Sequence, residues 1–292
     1  MTSGPSRLAG RRTWRLLGAG AVMLMVLAVA ARLWPPTPLS RAFPQSSAVS
    51  TESGELLRLT LAADGQYRLW VCLDDLPARL PAAVLMYEDR WFYRHPGVNP
   101  AALARAAVND ALGRRRLGAS TVTMQLARLV YRLDSRSLVG KLRQVALALW
   151  LEARYGKRDI LEAYLNFAPY GGNVEGVGAA SWVYFGKPVA QLSVPQVMSL
   201  AVIPQNPRER LLSRAAATRG AALDEARRRL WAHWLAAHPQ DGGFSGDVAA
   251  AIQARGPGDL PFLAPHFTDA LLREHSGDLR TTLELSRQRT LE

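Results

Sequence analysis

Apolar residues fall into three rhythms along this chain. From Leu16 to Ala31 no charge interrupts the run, and Trp14 and Trp34 bracket it. A helix from Leu16 to Trp34 would span roughly 28 Å, about one hydrocarbon core. The residues ahead of it are polar and basic, with Arg7, Arg11, Arg12 and Arg15. This order predicts a cytoplasmic tail over 1–15 and a transmembrane signal anchor over 16–34, with Arg32 able to snorkel. The competing reading is a cleaved secretory signal, for which Ala28-Val29-Ala30 offers a small-residue cleavage site. Pro35-Pro36-Thr37-Pro38 makes a stiff exit, and 35–53 reads as linker.

From Glu55 to Val71 the rhythm alternates. Leu57, Leu59 and Leu61 precede Asp64-Gly65, and Tyr67, Leu69 and Val71 follow it. That is the pattern of a small β-hairpin, too weak to stand without a body to pack on. From Pro81 to Leu211 the period is helical. Asn99-Pro100, Ser120, Ser135 or Ser137, and the Ser193–Gln196 capping box open successive helices, and Gly113, Gly156, Gly186 and Pro204 close them. Ala168 to Asn173 reads as an irregular loop. Ala215 to Ala237 reads as a basic amphipathic helix with Trp231 and Trp234, a packing helix with a solvated face in preference to a membrane contact, and Gly242 to Gly258 reads as loop. The expectation is an all-α domain over 54–240 carrying a small N-terminal β-hairpin, preceded by one transmembrane helix.

Charge narrows the partners. The 292 residues carry a formal net charge of +12, which suits nucleic acid, anionic lipid or a polyphosphate. No nucleic-acid module signature occurs, and the arginines ahead of the apolar run fit an anchor, so no nucleic-acid partner is expected. Cys72 is the single cysteine, so no internal disulfide and no Cys/His metal cluster can form.

The densest chemistry lies in Glu88-Asp89-Arg90-Trp91-Phe92-Tyr93-Arg94-His95-Pro96-Gly97. Glu88 ends a short apolar helix. A carboxylate held against an apolar wall has a raised pKa and can serve as a base near neutral pH. The bland alternative is a helix C-terminus with a surface carboxylate pair. A second stretch, Gly118-Ala119-Ser120-Thr121-Val122-Thr123-Met124-Gln125, follows about thirty residues on.

Together the two stretches resemble the peptidoglycan glycosyltransferases, glycosyltransferase family 51, whose Glu-Asp-x-x-Phe-x-x-His-x-Gly motif precedes Gly-Gly-Ser-Thr-Ile-Thr-Gln-Gln. The resemblance runs from about Leu76 to Arg210 and looks closest to C-type class A penicillin-binding proteins. It implies a lysozyme-like helical fold and polymerisation of lipid II into glycan strands. By the same resemblance Glu88 is the catalytic base. Asp89, Ser120, Thr121, Gln125 and Asn166 fall in or near the substrate site, while Arg128, Arg136 and Lys141 stand at the basic diphosphate-binding positions. Glu175 lies near the site.

Four positions depart from the family pattern: Ala119, Met124, Gly140 and Gln144. Gln144 stands where the family has a second active-site glutamate; a glutamine can hydrogen-bond there without charge. Glu152, two turns along the same face, is a candidate substitute carboxylate. The resemblance requires no cofactor, although Mg2+ or Mn2+ on the diphosphate is compatible with it, and His95 alone is a poor metal ligand. It implies lipid II, the growing strand, the membrane and transpeptidases of the cell-wall machinery as partners. It also implies a single-pass inner-membrane protein with a cytoplasmic N-terminus and a periplasmic catalytic domain. Residues 241–292 resemble the start of a transpeptidase linker. No Ser-x-x-Lys occurs, so transpeptidase activity is not expected. The alternative is a catalytically degenerate scaffold that binds lipid II without polymerising it; a glycan-cleaving lytic transglycosylase fits less well.

Overall fold

The computed structural model describes residues 36–112, 120–135, 137–211, 220–252, 254–285 and 287, with isolated positions between 19 and 30. The expected anchor at 16–34 lies almost wholly outside these residues. Among the described residues no helix is long and apolar enough to cross a membrane.

The body is mostly helical. Its helices are α1 (Arg79–Glu88), α2 (Pro100–Ala111), α3 (Val122–Val130), α4 (Leu138–Arg154), α5 (Lys157–Phe167), α6 (Val177–Phe185), α7 (Val194–Val202), α8 (Pro207–Leu211), α9 (Ala221–Ala237), α10 (Ser245–Ala249) and α11 (Pro265–Glu274). Local chemistry sets several ends. The Ala102 N–H donates to Asn99 Oδ1 at 3.0 Å and opens α2. The Gly140 N–H donates to Ser137 Oγ at 3.0 Å and opens α4. Gly186 closes α6 at φ 66°, a left-handed conformation that a β-carbon disfavours. The cap of α3 is Thr121 rather than Ser120: the Met124 N–H donates to Thr121 Oγ1 at 3.1 Å.

Every residue of α6 is buried, as expected of a helix apolar all round. It touches α5, α7 and the short strands; α1 and α9 pack on α7, and α3 lies against α4 and α5. Helix α9 buries Trp231 and Trp234 together with the whole Arg227 side chain. Arg227 reaches Asp224 at 2.9 Å and donates to the carbonyls of Val248 and Ala250. Those bonds fasten 248–250 to α9. The stretch expected as loop over 242–258 therefore holds helical turns, α10 among them.

The expected hairpin is not formed. The turn at Gly65 exists, with φ 77° and its N–H donating to the Ala62 carbonyl. The flanking strands part company there. β2 (Leu56–Leu59) pairs antiparallel with β1 (Ala48–Ser50), and β1 pairs in parallel with β6 (Asp278–Arg280). β3 (Tyr67–Arg68) pairs in parallel with β5 (Val174–Glu175), which pairs antiparallel with β4 (Pro169–Gly171). Alternation reports which face of a strand is buried, not which strand lies beside it. β1 falls within the stretch read as linker and β6 within the C-terminal segment, so both pieces join one sheet.

Candidate active site

Leu80 and Val84 form the buried stripe of α1, and Glu88 continues it at the same four-residue spacing. The packing that buries α1 thus carries the Glu88 carboxylate inward at the helix end. Its Oε2 accepts from Gln125 Nε2 at 2.8 Å, while Oε1 is buried without a partner among the described residues. Burial is the main force raising the Glu88 pKa. The Gln125 bond and the charges of Arg210 and Arg128 oppose that rise, and Asp89 adds to it. The arrangement leaves one oxygen free to take a proton.

Asp89, the next residue, has a different task. It accepts from the Val122 N–H at 3.0 Å, and His95 Nε2 lies 2.9 and 3.1 Å from its two oxygens. Thr121 Oγ1 donates to the Gly97 carbonyl at 2.5 Å. The loop after Glu88 is therefore tied to the start of α3 at two points. Gly97 has φ 84°, and a β-carbon there would come 2.6 Å from Glu152 Cγ, so glycine is required.

Gln125 sits on α3 facing Glu88, and Tyr164 donates to its Oε1 at 3.4 Å. Ser120 Oγ accepts from Lys141 Nζ at 2.9 Å. Burial, then the charge of Arg128, lowers the Lys141 pKa. Lys141 and Arg128 are thus two cations close enough to repel each other, a setting that an anionic group would relieve. Arg136 lies outside the described residues.

Gln144 and Asn166 are occupied differently. Gln144 is 1% exposed and donates from Nε2 to the Met124 carbonyl at 2.7 Å, and its Oε1 is buried without a partner among the described residues. It pins α4 to α3 one residue from Gln125. Glu152 accepts from Thr123 Oγ1 at 2.6 Å and pairs with Lys157 at 2.7 Å, and none of these bonds reaches Glu88. Glu175 pairs with the buried Arg68 at 2.5 Å. Asn166 accepts from the Val71 N–H at 2.9 Å and donates to the carbonyls of Val71 and Glu162. Replacing Asn166 by alanine should cost about 2 kcal/mol by stranding both Val71 backbone groups. Urea unfolding of Asn166→Ala checks this; unchanged stability with lost activity would point to a substrate contact instead.

Sequence reasoning missed Arg210, Tyr87 and Tyr170. Arg210, on α8, is 8% exposed and donates from Nη2 to Tyr87 Oη and to Gln205 Oε1, each at 2.7 Å. Among the described residues Arg210 Nη1 and the Tyr170 hydroxyl are buried without partners, as is Glu88 Oε1, and both groups interact electrostatically with Glu88. An acceptor, a donor and a hydroxyl left open around one carboxylate suit a hydroxylated ligand. Arg210 stands in a run of charged residues after Pro207, which gives no signal that one of them turns inward. Among the described residues no three His, Cys, Asp or Glu side chains gather as a metal set.

The family model described as Transglycosylase matches residues 54–231. Penicillin-binding protein 1C of Escherichia coli is 39% identical over 99% of this chain and 37% of its own length. The biosynthetic peptidoglycan transglycosylase of Rhodospirillum centenum is 36% identical over 68% of this chain and 80% of its own length. Among solved structures, penicillin-binding protein 1A of Haemophilus influenzae aligns at 20% identity and a TM-score of 0.40, over 80% of this chain and 24% of that one. The chain thus spans little more than a third of its penicillin-binding relative and most of the shorter transglycosylase. With the matched residues 54–231 enclosing Glu88, Gln125 and Arg210, the chain belongs to the transglycosylase family.

Proposed function

We propose that this chain is a membrane-anchored peptidoglycan glycosyltransferase of lysozyme-like fold that joins lipid II into glycan strands. The acceptor 4-hydroxyl attacks the anomeric carbon of the donor, Glu88 Oε1 takes its proton, and undecaprenyl diphosphate leaves. Direct displacement converts an α-linked donor into a β-linked product. Gln125 holds Glu88, and Asp89 with His95 holds the loop behind it. Lys141, Arg128 and the Ser120 hydroxyl stabilise the departing diphosphate, a role supported by the charge of Arg128 acting on Lys141 and by the Lys141–Ser120 bond. The observation that carries this reading is a raised-pKa carboxylate with one oxygen free, close to the charges of Arg128 and Arg210. The cations around Lys141 do not form a metal-ligand set, so a divalent ion would rest on the diphosphate's own oxygens.

Exposed Leu138, Val139 and Leu142 on α4, with Val108 and Leu112 at α2, favour a body lying against the membrane. That agrees with a single anchor at 16–34, a cytoplasmic N-terminus and a periplasmic catalytic domain. The test is polymerisation of labelled lipid II by the full chain, resolved on gels, with and without moenomycin. Lipid II binding without strands would replace this reading with that of a scaffold.

The base sets the pH dependence. Glu88 works deprotonated and its pKa is raised, so kcat/KM should climb with pH along a limb lying above the ordinary carboxylate range. Arg210→Gln removes a cation that holds this pKa down, so the limb should move further up. A pH profile of both proteins checks the sign; an unmoved limb would detach Arg210 from Glu88.

A further inference from the structure

The loop after Glu88 borders a cavity of about 460 Å³ whose arginines the chemistry above does not use. Trp91, Arg94 and Asn99 line it from the loop together with His95, whose ring nitrogen is turned to Asp89, and Pro100, Ala101 and Arg105 line it from α2. Arg94 lies 4.6 Å over the Trp91 ring and Arg90 lies 5.5 Å from it. None of these three arginines is paired with a carboxylate among the described residues, whereas Arg68, Arg79, Arg158 and Arg227 all are. The cavity is therefore a concave site with uncompensated positive charge and an indole, 43% exposed, at its edge.

Helix α2 links this site to an apolar surface. Ala101, Arg105, Val108 and Leu112 follow one another at spacings of four, three and four, so they share one stripe. Val108 is 57% exposed and Leu112 is 58% exposed. The stripe begins at the arginine cavity and ends in exposed aliphatic side chains. A soluble anion would use only the first part. A molecule with an anionic head and an aliphatic tail would use both, the head accepting from the guanidinium forks and the tail lying along Val108 and Leu112. A half-exposed tryptophan in the cavity lining fits the interfacial layer of a bilayer.

We propose that the cavity formed by Trp91, Arg94 and Arg105 binds the phosphate headgroup of an anionic membrane phospholipid. The lipid is then a docking ligand for the loop that carries Glu88 and for α2, distinct from the substrate diphosphate at Lys141 and Arg128. This goes beyond the catalytic reading and shares only the membrane setting with it.

The test uses the full chain in neutral detergent with a phosphatidylglycerol photoreactive at its headgroup, and peptide mapping of the crosslink. Labelling should fall within 90–112, and unlabelled phosphatidylglycerol should compete while phosphatidylcholine does not. Arg94→Gln/Arg105→Gln should weaken labelling by about tenfold or more, since two charge-assisted contacts are lost. Arg228→Gln/Arg229→Gln, an equal charge loss on the exposed side of α9, should leave labelling as it was. Equal competition by phosphatidylcholine, or an equal loss in the α9 variant, overturns the proposal. So does displacement by a polyprenyl diphosphate where phosphatidylglycerol fails, which would give the site to the substrate. If the double variant does not show a wild-type melting transition, competition on the wild type decides alone. Strand synthesis, read separately, reports on Glu88 and not on this cavity.

Discussion

Glu88→Gln should abolish strand synthesis while leaving the fold intact. General-base assistance is typically worth about 10²–10⁴ in rate, so the residual activity should lie at least two orders of magnitude down. The substitution keeps shape, and the Gln125 amide can turn to meet either end of the new one. The melting temperature should hold or rise, because a buried neutral amide avoids the cost of desolvating a carboxylate. Lipid II binding should persist, since the cations at Lys141 and Arg128 are untouched. Gel-resolved polymerisation beside a thermal melt and a binding titration checks all three parts. Activity within tenfold of wild type would remove Glu88 from the mechanism. Loss of the fold would instead make it a structural residue.

Adjacent carboxylates come to differ here through what surrounds them. Asp89 is met by a helix N-terminus and an imidazole, so its oxygens are fully engaged. Glu88 has one bond, from Gln125, and one open oxygen. Sequence places the two side by side, and only tertiary packing separates base from anchor. If the proposed chemistry holds, Asp89, His95, Thr121 and Gln144 act on the reaction by fixing α3, and hence Gln125, against Glu88.

The legible parts of the fold were those decided within a few residues. Asn99, Ser137 and the Ser193–Gln196 pair cap helices through bonds spanning three residues, and Gly186 closes α6 by its own conformation. The stripe Leu80, Val84, Glu88 can be read directly. What escaped was set at long range. Ser120 and Thr121 are equally good caps by type; the Gly97 carbonyl and Asp89, more than twenty residues away in sequence, select Thr121. Both sheets join strands far apart in the chain, one of them from its two ends, so alternation near Asp64-Gly65 could not reveal their partners. Arg210 and Tyr170 reach Glu88 from separate elements, and no local pattern records that they converge.

Gln144→Glu tests whether the departure at this position is a defect or a fitted part. The family resemblance suggests that restoring a glutamate should raise activity. The packing argues the reverse. Gln144 Nε2 donates to the Met124 carbonyl at 2.7 Å in a place that is 1% exposed. A carboxylate there would set one oxygen against that carbonyl and bury a charge with no cation bonded to it. The cost should be about 3 kcal/mol at pH 8, within the range for a buried polar group made unsatisfied or charged. Protonated, the same side chain regains a donor for the Met124 carbonyl. Its folded-state pKa is therefore raised above the unfolded value. The variant should approach wild-type stability below the unfolded carboxylate pKa of about 4.3 and lose it as pH rises through the folded one. Denaturant unfolding at low and high pH measures that slope. Activity should fall with it, because the strained turn of α3 carries Gln125. A variant that is as stable as wild type at pH 8 and faster would mean that position 144 faces the substrate, and that glutamine there slows the proposed reaction.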